Sequence, residues 1–565
     1  LLGLVTAAGA ALRLRDVEHS LWLDELHTAW CVAGDLGDVA PRARIGNYSP
    51  AYFYLVWVST RAAGLNEWGL RLPSLLAGIA LIPVMHFATA RLTGSRAAGL
   101  TAAALVALDG GLAGWYAQEA RPLALVQLLA VVHVWLLFEL VSSSRRPAAY
   151  YALRVLLIGA TAALFYLHYT AVLLLCGELA WYAARRLFAG RSAPVHYRAR
   201  DLTLDLTLAG AACLPAATHL AEIFRRRANW EQFVRQPTWR ELIGLFESAP
   251  WALAISLLAS AAALVLWAMP RGRGQPSGAM PAPAVDRSSR PAAPMLPCCW
   301  YLVPLGVAAA LTYTGLAHVC YPRYLMASSV ALPVAAASGV ALAARKHAAL
   351  AVLVGLLTAW VVQTRPGWGH EAETGFTARL AGSLTIEHFV EDWQGAVEFV
   401  RQRDGGSGQP VFLWAGLIEA ALMRDEEPPT FDDPSSAPDL EPPMSNVQHR
   451  GKDDLPQGSD EQQGLRRYLL FPISGPYALD DGRMLVPLAA HGERWLPTGA
   501  AGQVRAAGGG WFIFRSPEAL YTDHPKPLER LARDLCDELA EQGLHCRVTQ
   551  RRSFRGLAVI HLSRS

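Results

Sequence analysis

Charge is scarce in this chain: 17% of its 565 residues are Asp, Glu, Lys or Arg, against roughly a quarter in soluble globular proteins. That shortage argues against a soluble enzyme. Neither sign dominates, with 50 Lys and Arg against 47 Asp and Glu. Such a balance lacks both the basic excess of nucleic-acid binders and the acidic, apolar-poor makeup of disordered chains. Nucleic acid is therefore not an expected partner. Cysteine is also sparse, at eight along the whole length. A disulfide framework is excluded on that count, and no Cys/His set has zinc-finger spacing.

What the chain has instead is apolar length, with 53% hydrophobic residues. Stretches near the ~20 residues that cross a hydrocarbon core fall at about 1–13, 72–92, 97–115, 122–141, 152–167, 169–188, 202–220, 250–269, 299–317, 324–344 and 348–364. The expected fold is a polytopic α-helical membrane protein of about eleven spans over 1–364, followed by a soluble α/β domain at 365–565. The opening Leu1-Leu2-Gly3-Leu4-Val5 has no basic n-region. It reads as the end of a membrane helix rather than a cleaved signal peptide.

If 1–13 runs outward, the loops holding Arg91 to Arg96, Arg145 with Arg146, Arg185 to Arg200, Arg271 to Arg290, and Arg345 with Lys346 face the cytoplasm. All are basic, as the positive-inside rule asks. The first outer loop, 14–71, is too long for a turn, and its aromatic stretch from Tyr48 reads as an interfacial helix. Residues 270–298 read as a Pro/Gly/Ser-rich linker. In the C-terminal region the spacing predicts a helix from Glu391 and another near 525–542. Strands are expected at Pro410–Ala415, Arg467–Phe471, Trp511–Phe514, near Arg547 and at Leu557–Leu562. An acidic, Pro-rich insertion spans 425–461. With eleven crossings this domain lies outside the cytoplasm, where Cys536 and Cys546 are candidates for a pair.

Several polar groups sit among apolar neighbours near span ends. Asp24 and Glu25 lie in Leu21-Trp-Leu-Asp-Glu-Leu-His, where partial dehydration raises carboxylate basicity. The plain alternative is an acidic pair at a helix N-terminus. Arg121 precedes Pro122 after Gln118-Glu119-Ala120, and a guanidinium at a helix start suits a phosphate; snorkelling is the alternative. His168 and the group Tyr321 to Tyr324, including Arg323, mark two further turns. Each is also readable as an interfacial anchor. Counting crossings puts all four clusters on the outer face, as for a substrate that is half lipid and half phosphate.

At these residues the chain resembles the GT-C superfamily of glycosyltransferases, in the branch of the protein O-mannosyltransferases and the lipid A aminoarabinose transferases. The matching features, in order, are Asp24-Glu25, the Tyr48–Pro50 approach to the aromatic helix, Leu70-Arg-Leu-Pro-Ser, Gln118-Glu-Ala-Arg-Pro and Tyr321-Pro-Arg-Tyr-Leu. The resemblance implies transfer of a hexose or pentose from a polyprenyl-phosphate-linked donor to a glycan, lipid or protein acceptor outside the membrane. A bacterial inner membrane is the expected location. It also implies Asp24 as the catalytic base and Arg121 and Arg323 as the donor-phosphate contacts, with His168 and Tyr321 as supporting donors beside Gln118 and Tyr48. Glu25 and Glu119 would shape the acceptor pocket or hold a divalent cation; no other cofactor is implied. Relatives that move aminoarabinose carry a Lys beside the first-loop prolines, whereas Asn47-Tyr-Ser-Pro-Ala has none.

Two other classes fit parts of the pattern. A transporter or flippase of lipid-linked sugars also needs an Arg- and carboxylate-lined cavity, but the sequence shows no interrupted helices in equivalent halves. A scaffold displaying the outer domain needs no base at all.

Overall fold

The computed structural model describes residues 1–15, 17–45, 48–109, 112–142, 146–188, 196–225, 236–243, 245–246, 295–344, 391–417, 459–479, 482–488, 494–521, 524 and 526–565. In chain order the helices are α1 (Leu2–Leu14), α2 (Leu23–Ala33), α3 (Leu36–Ile45), α4 (Ala51–Ala63), α5 (Glu67–Thr93), α6 (Arg96–Leu108), α7 (Leu112–Ala117), α8 (Leu123–Ser142), α9 (Pro147–Leu167), α10 (Leu173–Phe188), α11 (Ala199–Cys213), α12 (Ala217–Arg225), α13 (Trp239–Ile243), α14 (Met295–Tyr313), α15 (Met326–Ser329) and α16 (Ala331–Ala344). Beyond them come α17 (Trp393–Asp404), α18 (Ser459–Ser474), α19 (Ala500–Ala507), α20 (Pro517–Leu520) and α21 (Pro527–Glu541). Two compact units result. One comprises Leu1–Val17, Ser49–Tyr52 and Arg71–Glu387; the other comprises Glu18–Tyr48, Phe53–Leu70 and His388–Ser565.

The first unit is helical. Among the described residues, five helical stretches are long and apolar enough to cross a membrane: α5, α8, α9, α14 and the run Ala199–Arg225. The expected spans at 250–269 and 348–364 lie outside the described residues, as does the linker of 270–298 up to residue 294, while its last residues, Met295–Cys298, open α14; the described parts of the other spans are mainly helical. Small side chains let backbones approach, the usual means of helix association in lipid. At Gly9 of α1 an added Cβ would come within 2.9 Å of the Ala107 Cβ on α6. On α9, Tyr151, Val155 and Leu156 are exposed, as a lipid-facing surface requires.

Several charged groups inside this bundle are paired, since an unpaired one costs several kcal/mol where water is absent. Arg13 donates to the carbonyls of Gly9, Val106 and Ala107 at 3.0, 2.7 and 3.1 Å. Arg154 on α9 forks onto Asp205 of α11 at 2.7 and 3.0 Å, and the Tyr197 hydroxyl donates to the same carboxylate at 2.6 Å. His133 of α8 sits between Glu178 of α10 and Thr161 of α9, 2.8 Å from each.

The second unit is built on a five-stranded sheet. Its strands are β1 (Val411–Trp414), β2 (Leu485–Pro487), β3 (Gly509–Arg515), β4 (Cys546–Phe554) and β5 (Leu557–Arg564), in the order β2-β1-β3-β5-β4. β1 runs parallel to β2 and β3, whereas β5 is antiparallel to β3 and β4. Leu531, Leu535 and Leu539 of α21 pack on Phe512, Ile560 and Leu562 of the sheet. Helix α17 is capped by Asp392, which accepts from the Gly395 N–H at 2.8 Å, and ends at Gly405 with φ +60°, the left-handed turn that glycine favours.

The stretch Arg467–Phe471, expected as a strand, lies inside helix α18. Leu465, Leu469 and Ile473 are buried four residues apart, a helical stripe that a short apolar window does not reveal. The same helix takes up residues 459–461, which the sequence reading gave to the insertion; 425–458 lie outside the described residues. Cys536 and Cys546, candidates for a pair, are free thiols.

The Arg154–Asp205 fork generates a prediction. Arg154→Met strands a buried carboxylate and should lower unfolding stability by about 3 kcal/mol, whereas Arg154→Met with Asp205→Leu should recover most of it. Denaturant unfolding in detergent micelles measures both.

Candidate functional site

In the helical unit, Pro122 separates α7 and its following loop from α8, and every polar group of that loop is tied down. The Gln118 amide donates to the carbonyls of Arg13 and Arg15 at 2.9 and 2.6 Å. The Trp115 indole donates to the Glu119 carboxylate, and the Arg121 N–H to the Glu119 carbonyl at 2.7 Å. The Ser74 hydroxyl donates to the Arg121 carbonyl at 2.7 Å and accepts from the Tyr52 hydroxyl at 2.8 Å. The Arg121 backbone is thus fixed before its side chain does anything. That side chain is 4% exposed.

The second element is the turn after α9, where His168 leaves the helix with extended backbone and Tyr169–Val172 form a 3-10 turn. The Thr170 hydroxyl donates its only proton to the Tyr324 carbonyl at 2.8 Å, so it must accept the contact at 2.8 Å from His168 Nδ1. His168 is therefore the Nδ1–H tautomer, a choice made by the network around it. Burial first, then the guanidiniums of Arg121 and Arg323, push its pKa down to about 3. The ring thus donates through Nδ1 to Thr170, and Nε2 is its other nitrogen.

Arg323 comes from the 3-10 turn Pro322–Leu325, with its guanidinium 5.4 Å from the ring centre of Tyr321. Tyr116 of α7 joins the same field: burial and then Glu119 raise its phenol above the ordinary range, while Arg323 and Arg121 pull it down and Tyr321 adds to the rise. A phenol so raised stays protonated and can donate. Turns separated widely in sequence thus bring two cations, phenols and a neutral imidazole to one end of the helical unit. Tyr116 and Thr170 were missed in the sequence, whereas Ser74 closes the quoted Leu70-Arg-Leu-Pro-Ser motif. Tyr116 and Thr170 stood next to chosen residues, and only their hydrogen bonds and fields distinguish them.

Asp24, Glu25 and Tyr48 belong to the other unit. Asp24 and Glu25 are the acidic first turn of α2, the arrangement the plain reading described. Glu25 is fully buried and accepts from the Trp22 N–H at 3.3 Å. Asp24 is half-buried, and its carbonyl accepts from the Thr28 hydroxyl at 3.2 Å. One turn on, His27 lies 3.3 Å from the Tyr468 hydroxyl and 3.4 Å from the Cys31 sulfur, with Tyr48 and Phe53 rings 6.0 and 6.2 Å away. The Leu23 N–H donates to Glu391 at 2.9 Å and the Leu21 N–H to the Tyr477 hydroxyl at 2.7 Å. The start of α2 is thereby bound to C-terminal residues. For the divalent cation the donor set does not fit: Glu25 caps its own helix, Glu119 takes the Trp115 indole, and no group of three or more His, Cys, Asp or Glu able to hold a metal occurs among the described residues.

These features are those of a mostly helical chain with helices able to cross a membrane, a small mixed sheet and a cationic cluster in the turns between helices. No family model and no curated protein matches the sequence. Among solved structures it is similar to ArnT from Cupriavidus metallidurans in the apo state, with a TM-score of 0.46 and 13% identity over 99% of this chain and 97% of that one. It is similar also to the same protein bound to undecaprenyl phosphate, with a TM-score of 0.43 and 12% identity over the same shares. Likeness to the oligosaccharyltransferase AglB from Archaeoglobus fulgidus, in complex with an inhibitory peptide and a dolichol-phosphate, has a TM-score of 0.39 and 11% identity. It covers 73% of this chain and 62% of that one.

The neutral state of His168 is testable directly. Its folded pKa lies below the unfolded value near 6.5; the unfolded chain therefore binds more protons between these values, and the contribution of His168 to stability falls as pH drops through that window. Diethyl pyrocarbonate labels only neutral imidazole. Labelling followed by mass spectrometry should show His168 reacting at pH 5 as it does at pH 8; a rate that falls between pH 8 and pH 5 would contradict the lowered pKa.

Proposed function

We propose that this chain is an integral membrane glycosyltransferase that moves a sugar, hexose or pentose, from a polyprenyl-phosphate-linked donor to an acceptor on the outer face of a bacterial inner membrane. The observation that carries this reading is the cluster of Arg121, Arg323, His168 and Tyr116 at one end of apolar helices. A site with two guanidiniums and the phenol of Tyr116 suits a phosphate, and its attachment to helices that can cross a bilayer suits a phosphate on a long hydrocarbon chain. The motif order from Asp24 to Tyr321, similar to the GT-C pattern, supplies the reaction.

In that reaction Asp24 takes the proton of the acceptor hydroxyl as its oxygen attacks the anomeric carbon. The bond from that carbon to the phosphate oxygen breaks, and the lipid phosphate leaves as an anion. Arg121 and Arg323 stabilise the charge that develops on it. Tyr321 and Tyr116 donate to the same phosphate, while Gln118 holds the loop that carries Arg121. Glu25 and Tyr48 shape the surroundings of Asp24, and Glu119 positions the Arg121 loop from within.

Asp24→Asn should leave the protein inserted and folded and reduce sugar transfer by about 10²–10⁴-fold; transfer at the original rate removes Asp24 as the base. Arg121→Ala should weaken donor binding by about ten- to a hundredfold, more than it alters thermal stability. Movement of lipid-linked sugar across vesicles without its consumption would replace the enzyme reading with the transporter.

A further inference from the structure

The sheet of the second unit ends on one side in a long open strand. β4 runs for nine residues, its inner edge paired with β5, and among the described residues no strand pairs with its outer edge. At the opposite margin β2 has only three residues. Along β4, Arg547 to Thr549 and Arg551 to Ser553 are all exposed. A row of unpaired backbone N–H and C=O groups of this length is a template for another strand.

The side chains on that edge are basic. Arg547 stands opposite Ser563 and Arg552 opposite Val559, on the face of the sheet that carries Trp511 and His561. Arg551 stands opposite Ile560, on the face covered by α21, where it reaches Glu529 at 3.2 Å. Arg552 lies over two rings, with its guanidinium 4.9 Å from the centre of Phe554 and 5.4 Å from that of Phe399 on α17. Arg403 lies over Phe399 as well, at 5.9 Å. Phe399 is itself held by Trp511 and Phe554, with ring centres 6.0 and 5.8 Å away. A ring that holds a guanidinium by its face leaves the N–H fork open to a carboxylate. None of Arg403, Arg547 and Arg552 has a carboxylate partner among the described residues.

Charge on an edge strand also serves to keep sheets from pairing edge to edge, but that purpose does not require a guanidinium ordered between two rings. The surroundings narrow the choice of occupant. Two copies of β4 side by side would bring arginines against arginines, which destabilises a strand pair. Val548 is the one apolar residue among those exposed on the strand, so little is available to enter a bilayer. The Phe399 and Phe554 rings, on which a sugar would stack, already carry Arg552.

We propose that β4 takes an extended acidic peptide segment of a partner protein as a further strand. The peptide backbone pairs with the open edge, and its carboxylates meet Arg547 and Arg552 on one face and Arg551 on the other. Arg403 extends the first of these faces. The interaction is independent of the transfer reaction and of the arginines in the helical unit.

The probe is a fluorescein-labelled peptide of about ten residues, alternating Glu with Val and Thr, titrated against the full chain in detergent micelles and followed by fluorescence anisotropy. Binding is expected, weakened about tenfold in Arg552→Gln and about threefold in Arg547→Gln. Arg200→Gln, the same loss of charge in the helical unit, should leave it unchanged. A peptide with Lys in place of Glu should not bind. Nor should the Glu peptide with every backbone nitrogen methylated, which keeps the charges and lacks the N–H donors. Equal affinity for the methylated peptide overturns strand addition, equal affinity in Arg552→Gln overturns the role of the arginines, and no binding overturns both. Binding of alginate or of phosphatidylglycerol vesicles without binding of the peptide gives this surface to another polyanion and overturns the proposal.

Should Arg552→Gln fail to fold, hydrogen exchange on the wild type reads the contact directly. Backbone amides of 546–554 should exchange more slowly with saturating Glu peptide, and unchanged exchange there overturns the proposal.

Discussion

The carboxylate of Glu391 holds together what the sequence keeps far apart. One oxygen accepts from the Leu23 N–H at 2.9 Å and the other from Arg515 Nε at 2.8 Å. A helix from the first loop is thereby fixed to a strand of the C-terminal sheet. Ser20 and Leu21 add to the same junction through Tyr477 and the Gln394 N–H. The first turn of α2, with Asp24 in it, has its place because these C-terminal groups satisfy backbone donors that a helix start leaves unpaired. The C-terminal unit, whose role the sequence leaves open, therefore builds the surroundings of the principal catalytic candidate.

The helical unit solves a different problem, that of holding cations together in surroundings that penalise charge. It does so with backbone carbonyls. Arg121 has its main chain fixed by Ser74 and its loop fixed by Gln118. The Tyr324 carbonyl sets the Thr170 proton, and Thr170 sets the tautomer of His168. An acceptor with no freedom to rotate thus decides which nitrogen of a distant ring is basic.

Much of this was readable from apolar length alone. The long helices declare themselves because a run such as Leu123–Ser142 has few alternatives to a membrane span, and the candidate residues stand out as polar exceptions beside them. The sheet was legible wherever β-branched and aromatic residues cluster, as in Gly509–Arg515. What was not legible depends on partners distant in sequence. Tyr468 and Phe471 look like strand residues until Trp30 packs on both, at 5.6 and 5.3 Å between ring centres. Gln118 looks like a substrate contact until its amide is seen spent on two carbonyls at the end of α1. Which nitrogen of His168 carries the proton is legible only once the Thr170 hydroxyl is seen to donate to the Tyr324 carbonyl and so to accept from Nδ1.

The junction at Glu391 also dictates an order of assembly. Leu23 and its acceptor are 368 positions apart, and Leu21 and Tyr477 are separated by 456. The ribosome makes the early partner long before the late one, so α2 and its neighbours must wait without their acceptors while the intervening helices are inserted. Domains generally fold as units in order of synthesis, but this one joins Glu18–Tyr48 and Phe53–Leu70 to a sheet whose first strand is Val411–Trp414. A nascent chain halted before residue 388 would carry α2 without the acceptors that Glu391 and Tyr477 give to its first turn.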